Sequence, residues 1–169
     1  DGVKQKSQVA FSQQVPLLFV NTDAHRLFFN TPTVRRRLID WLMFHVEPDF
    51  YALWRNYQKA HRHYNALLRN GGSDSEFNTW ADLLVESGVS LSALRSKMIP
   101  RVDVALNYQW QSLGQKTTLR CDYNQGWLPT SSLGAHLKAG RAKDRLRGSL
   151  RSGPHAFDCQ IFVNDILVQ

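Results

Sequence analysis

From Thr33 onward the apolar positions recur at helical spacing: Val34, Leu38, Trp41, Leu42 and His45 share one face at i, i+4, i+7, i+8 and i+11. Pro48 has no N–H to donate, so it interrupts this helix and a second begins near Asp49. Between Asp49 and Arg69 the series Phe50, Leu53/Trp54, Tyr57, Ala60/His61, Tyr64 and Leu67/Leu68 repeats about every 3.5 residues, the period of a coiled-coil seam. Asn70-Gly71-Gly72-Ser73-Asp74 stops that helix and offers caps for the next. A third series follows, with Phe77, Trp80, Leu84, Leu91, Leu94, Met98, Val102, Ala105 and Tyr108 in the same register. Two seams joined by a glycine turn predict an antiparallel helical hairpin. Gly88 and Pro100 interrupt the third series, and a proline inside a helix costs about 3 kcal/mol. A kink, or a break and recapping near Ser90 or Pro100, is therefore expected.

The flanks follow a different grammar. Asp1-Gly2 is a hairpin-type dipeptide, and Val15-Pro16-Leu17-Leu18-Phe19-Val20 is an unbroken apolar run that predicts a strand buried on both faces. Residues 21–30 read as a connection, with Thr22 or Asp23 capping a short helical turn through Leu27-Phe28-Phe29. Past Gly114, residues 116–123 alternate as a strand that ends at Asn124-Gln125-Gly126. A helix over 131–144, strands over 149–151 and 157–163, a turn at Asn164-Asp165 and a further strand from Ile166 complete the pattern. The fold class is α+β: a helical arm over 32–113 between a strand-and-loop segment over 1–31 and a β-rich segment with one short helix over 114–169. A start without Met and an apolar end read as cuts through something longer.

Charge adds a partner class. The chain of 169 residues carries 21 Lys+Arg against 14 Asp+Glu, a formal net charge of +7, which favours a polyanion. No stretch approaches the ~18 consecutive apolar residues of a membrane-spanning helix, and no secretory signal opens the chain, so a cytoplasmic protein is expected. The cysteines Cys121 and Cys159 are too few for a disulfide scaffold and lie in apolar strands, as buried structural thiols do. There is no Gly-rich phosphate loop ending in Lys-Ser/Thr and no Gly-x-Ser-x-Gly elbow, so no catalytic residue and no cofactor is assigned to this chain. His61 and His63 diverge by about 200° on a helix and cannot share a metal ion.

Three groups of bases are candidate phosphate contacts. Arg35, Arg36 and Arg37 open a helix at the positive end of its dipole, which calls for an anion nearby: a phosphate, or a local acid such as Asp40. Lys138, Arg141 and Arg145 share one helical face in a segment with the single acid Asp144, as a phosphate-tracking stripe or a solvated face would. Along the hairpin Arg55, Lys59, Arg62 and Arg69 interleave with aromatic residues whose seam spacing assigns them to packing.

In this order the segments resemble a known family. Pro32-Thr33-Val34-Arg35-Arg36 with Asp40-Trp41, then Phe44-His45-x-Glu47-Pro48, Asn65-Ala66-Leu67-Leu68-Arg69, the isolated Trp80 and Gly153-Pro154-His155-x-x-Asp158 are similar to elements of the bacterial RecF family of DNA replication and repair proteins. Asn30-Thr31 and Tyr64 depart from the usual residues of that pattern. The resemblance implies structural roles for Asp40, Gly153, His155 and Asp158. It also implies a helical arm rooted in short strands of an ATPase head like that of SMC and Rad50 proteins, with the Walker A loop before Asp1 and the signature and Walker B motifs after Gln169. For the full-length family it implies ATP with magnesium, weak DNA-dependent ATPase activity and an ATP-dependent homodimer. It further implies binding to single-stranded and gapped DNA, partnership with RecR and RecO, recombinase loading in gap repair, the SOS response, and a bacterial, nucleoid-associated place in the cytoplasm. The competing reading from the residues is a helical arm that docks a partner subunit, its positive charge serving only solubility.

Overall fold

A computed structural model describes residues 8–18 and 32–168. The described order is α1 (Gln8–Gln14), α2 (Pro32–Val46), α3 (Phe50–Asn70), α4 (Asp74–Ser112), β1 (Leu119–Asn124), α5 (Leu133–Arg147), a 3₁₀ turn (Pro154–Ala156), β2 (Asp158–Val163) and β3 (Ile166–Leu167). The hairpin forms as its pattern predicts. Phe50, Tyr57, Ala60, Tyr64 and Leu68 of α3 are buried against Phe77, Leu84 and Leu91 of α4. Gly71 closes α3 with φ +84, and Ser73 begins α4 with a capping box: its hydroxyl accepts from the Glu76 N–H while the Glu76 carboxylate accepts from the Ser73 N–H.

Several expectations fail for physical reasons. The strand over 15–20 is absent from its described part: Val15, Leu17 and Leu18 are exposed, and Pro16 withholds a ladder donor. Phe19, Val20 and the connection over 21–30 lie outside the described residues. On α2 the buried face is Ile39 and Met43, one residue out of phase with the predicted stripe, because this face also carries Arg35 and Asp40 in ion pairs that hydropathy assigns to solvent. Helix α4 neither breaks nor recaps: it runs 39 residues through Gly88 and Pro100. A Cβ on Gly88 would stand 3.0 Å from Leu133 Cδ2 and Pro154 Cγ and 3.2 Å from Tyr57 Cε2, so the glycine marks the point where α3, α5 and the 3₁₀ turn close on α4. Buried Met98 and Ile99 anchor the turn beside exposed Pro100. Residues 149–151 form no strand; Leu150 is buried there and its backbone bonds to side chains.

Beyond Pro100 the predicted face is met only in part: Val102 packs against the core, but Ala105 and Tyr108 are exposed while Asp103 and Asn107 face the sheet. That sheet is three-stranded, antiparallel and ordered β1-β2-β3. Asn107 pairs with Leu119 as a strand would, its Nδ2 donating to the carbonyl at 2.6 Å and its Oδ1 accepting from the N–H at 2.8 Å, and Asp103 Oδ1 accepts from the Cys121 N–H at 2.7 Å. Asn164 and Asp165 both take positive φ (47° and 63°), as a two-residue hairpin of type I′ requires between β2 and β3. Cys121 and Cys159 are free and buried, as expected.

Candidate nucleic-acid interface and the junction behind it

Where α2, α3, α4 and the 3₁₀ turn meet, the residues of the Pro-x-x-Arg-Arg, Asp-Trp and Gly-Pro-His-x-x-Asp elements converge. At the centre lies Arg95, 2% exposed. Its Nε and Nη2 donate to Asp40 Oδ1 at 3.1 and 2.7 Å, its Nη1 donates to the Pro154 carbonyl at 2.8 Å, and its guanidinium lies 3.8 Å from the centroid of the Phe157 ring. Burial pushes the Asp40 carboxyl above its ordinary pKa in spite of the arginine beside it. Arg35 grips Asp158 with both ends of its fork, Nε to Oδ1 and Nη2 to Oδ2 at 2.9 Å each, and Asp158 Oδ1 also accepts from the Cys159 N–H. Arg36 donates to the Phe157 carbonyl and to Thr33 Oγ1.

The Gly-Pro-His corner is fixed as tightly. Gly153 (φ +136) donates its N–H to the Gly126 carbonyl at 2.8 Å, and a Cβ on Gly126 would stand 2.2 Å from the Gly153 oxygen. His155 Nε2 bonds the Leu150 carbonyl at 3.1 Å, which can only accept, so the proton sits on Nε2 and Nδ1 accepts from the Tyr57 hydroxyl at 2.7 Å. Asn65 completes the set: its Oδ1 accepts from the Leu150 N–H and its Nδ2 donates to His61 Nε2, whose ring lies 4.1 Å from that of His155. Burial lowers the pKa of His61, and burial followed by the neighbouring His61, Arg36 and Arg95 charges brings His155 down to about 4. The His155 ring is neutral at pH 7. Asp40, Gly153, His155 and Asp158 all lie at this junction, Asp40 and Asp158 in ion pairs and Gly153 and His155 in the corner beside them.

The candidate phosphate contacts divide. Arg35 and Arg36 are engaged inside the junction, Arg35 with Asp158 and Arg36 with the Phe157 carbonyl and the charge of Asp40, while Arg37 is exposed. Arg141 bonds Asp74 and Asn78 at the start of α4 and, with Arg145, lies over the Phe77 ring at 5.1 and 5.6 Å. Lys138 and Arg145 are exposed. The two groups sit toward opposite ends of the hairpin: Asn78 and Arg95 are 17 residues apart on α4, roughly 25 Å at 1.5 Å per residue.

What joins them is α3. Arg55, Lys59, Arg62 and Arg69 recur at i, i+4, i+7 and i+14, all exposed and directed away from the seam, over roughly 21 Å of helix. Helix α3 contains no acid at all. At its end the Arg69 side chain meets Gly148, its Nη1 lying 3.5 Å from that carbonyl, which places exposed Arg147 and Arg151 beside the stripe. The one acid of α5, Asp144, is buried. His63 stacks on Trp80 at 4.0 Å, apart from His61, and no group of three metal-ligating side chains occurs among the described residues.

Sequence reasoning missed Arg95, Tyr57 as a hydrogen-bond donor, and Asn65. A signal for the first was present: Arg95 follows Leu91 by four residues and precedes Met98 by three, a charged residue at seam spacing.

No family model matches the chain. It is 30% identical over 169 residues to the DNA replication and repair protein RecF of Coxiella burnetii (strain CbuG_Q212), covering 100% of this chain and 47% of that protein. It is 32% identical over 167 residues to RecF of Hydrogenovibrio crunogenus, covering 97% of this chain and 46% of that protein. The chain therefore spans about half the length of the curated relatives it matches. Among solved structures, that of the recombination mediator protein RecF-ATP in the RecFOR pathway superposes with a TM-score of 0.79 at 17% identity, over 88% of this chain and 43% of that one. That likeness establishes the shared fold.

Proposed function

Taking as premise that this chain is RecF-like over its whole length in sequence and over 88% of it in fold, we propose that it is the DNA-binding middle section of a RecF-type recombinational repair ATPase. The observation that carries the reading is the α3 face, where four exposed bases stand in line on a helix without a single acid, continued by Arg147 and Arg151. Such a stripe neutralises phosphates without reading bases, as a protein acting at gaps of any sequence needs. The junction behind it holds α2, α3 and the 3₁₀ turn as one unit, so the stripe is presented on a rigid support.

The remaining family attributes belong to the same proposal. Nucleotide and magnesium would be held elsewhere in the longer protein, this stretch supplying no catalytic group. The whole protein would close as an ATP-bound homodimer on DNA and work with RecR and RecO in recombinase loading and the SOS response. No described helix is long and apolar enough to cross a membrane. A nucleoid-associated place in the bacterial cytoplasm belongs to the same proposal and rests on the likeness to RecF proteins alone.

The test is titration of single-stranded and gapped duplex DNA against the intact protein at several salt concentrations. Affinity falls with salt, and Lys59→Gln, Arg62→Gln and Arg69→Gln each flatten the log–log salt slope by roughly 0.7 to 0.9. Salt-insensitive binding, or a slope unchanged in all three variants, refutes the reading.

A further inference from the structure

The opposite side of the hairpin has another character. On the first half of α4, Asp82, Glu86, Val89 and Ala93 fall at i, i+4, i+7 and i+11 and are exposed, pointing away from the seam as the α3 stripe does on its own side. No Lys or Arg occurs between Asp74 and Leu94. Among the described residues Asp82 and Glu86 form no ion pair, and they stand one turn apart, a like-charge spacing that destabilises a helix by a few tenths of a kcal/mol. Nothing within the described residues compensates it. Between the two acids and just beyond them, Leu83 and Val89 are 43% and 47% exposed.

Val89 and Ala93 then lead into a cleft of about 900 Å³ between α4 and the segment after β1. Its floor is made of small side chains, Ser92, Ala93 and Ser96, which let another backbone approach closely. Its wall is Tyr123, Trp127 and Leu128, the last 62% exposed. An acidic, partly apolar helix face opening into a groove with a small-residue floor, on a chain of net charge +7, is complementary to one kind of occupant.

We propose that this face docks an amphipathic helix of a partner protein that is basic at its rim, its apolar side chains entering the cleft and its Lys or Arg residues meeting Asp82 and Glu86. The surface is separate from the α3 stripe, so nucleic acid on one side and a partner on the other can be bound at once.

The probe is a synthetic fluorescein-labelled helical peptide with Leu on one face and Lys and Arg on its flanks, titrated against the full chain by fluorescence anisotropy. A permuted peptide of the same composition and a Glu-for-Lys/Arg peptide are the controls. Binding at least tenfold tighter than either control supports the proposal, provided that an Asp82→Asn/Glu86→Gln/Val89→Ser variant loses at least tenfold in affinity with an unchanged circular dichroism spectrum. The proposal also requires that Lys59→Gln/Arg62→Gln leave peptide affinity unaltered. Equal binding of the permuted or acidic peptide, an undiminished affinity of the triple variant, or a self-associated chain that the triple variant makes monomeric in sedimentation velocity would each overturn it, the last by making a second copy the occupant.

Discussion

Replacing Arg95 with Met tests whether the junction is held by its ion pair or merely filled by it. Methionine keeps much of the arginine stem and its apolar contacts, but removes the two bonds to Asp40, the bond to the Pro154 carbonyl and the cation over Phe157. Removing one member of a buried pair costs about 3–5 kcal/mol, because the partner is left charged and unpaired. The Asp40 side chain keeps 26% of its exposure, so part of that carboxylate remains solvated and the lower end, about 3 kcal/mol, applies. This is a large share of the roughly 5–15 kcal/mol that hold a domain together. In urea denaturation followed by circular dichroism, Arg95→Met therefore shifts the midpoint down by an amount equivalent to about 3 kcal/mol. Arg95→Met/Asp40→Leu, which leaves no orphaned charge, recovers at least half of that loss. A single variant within about 0.5 kcal/mol of the parent, the range of an ordinary surface substitution, would refute the reasoning. So would a double variant whose cost is the sum of the two single ones.

Two further predictions concern the same corner. His155 titrates near 4 in the folded chain against 6.5 for an ordinary histidine. A depressed histidine leaves the unfolded chain holding more protons in that window, so its contribution is complete above pH 6.5 and disappears as pH falls toward 4. The span of 2.5 pH units corresponds to about 3 kcal/mol. Urea midpoints measured from pH 7 to pH 4.5 fall more steeply for the parent than for His155→Gln, and identical slopes would show that the histidine is not the group responsible. Gly126→Ala places a Cβ against the Gly153 carbonyl, where backbone has to move, and forces a non-glycine residue into φ +95. Its thermal midpoint drops by several degrees, whereas Gly114→Ala, with φ +77 and open space around it, falls by less; equal drops would contradict the close approach.

Much of the arm was legible because its determinants are local. The 3.5-residue seam of α3, the glycine turn with caps over 70–74 and the Asn164-Asp165 turn each depend on residues a few positions apart. The long-range choices were not legible. Arg35 pairs with Asp158, 123 positions away, and Arg95 with Asp40, 55 positions away, so a hydropathy pattern reads both arginines as surface. The same blindness mis-phased α2. The continuity of α4 through Pro100 depends on burial of Met98 and Ile99 against distant elements, which no local rule contains. Of the candidate interface, Lys59, Arg62 and Arg69 stand out as bases from sequence alone, but their joining to Arg147 and Arg151 depends on the fold bringing Gly148 to Arg69.

The bonds from Asp103 and Asn107 to β1 have a bearing on how this sheet can be enlarged. An edge strand ordinarily offers its amides and carbonyls to any passing chain. Here the outer side of β1 has helix α4 lying against it, with one asparagine imitating a neighbouring strand at Leu119 and one aspartate holding the Cys121 amide. At Leu119 and Cys121 the β1 edge is thus closed to a further strand, and among the described elements addition beyond β3 is the direction left open there. A polypeptide that continues past Val168, or a second molecule that pairs by its backbone, is steered to the side remote from α4.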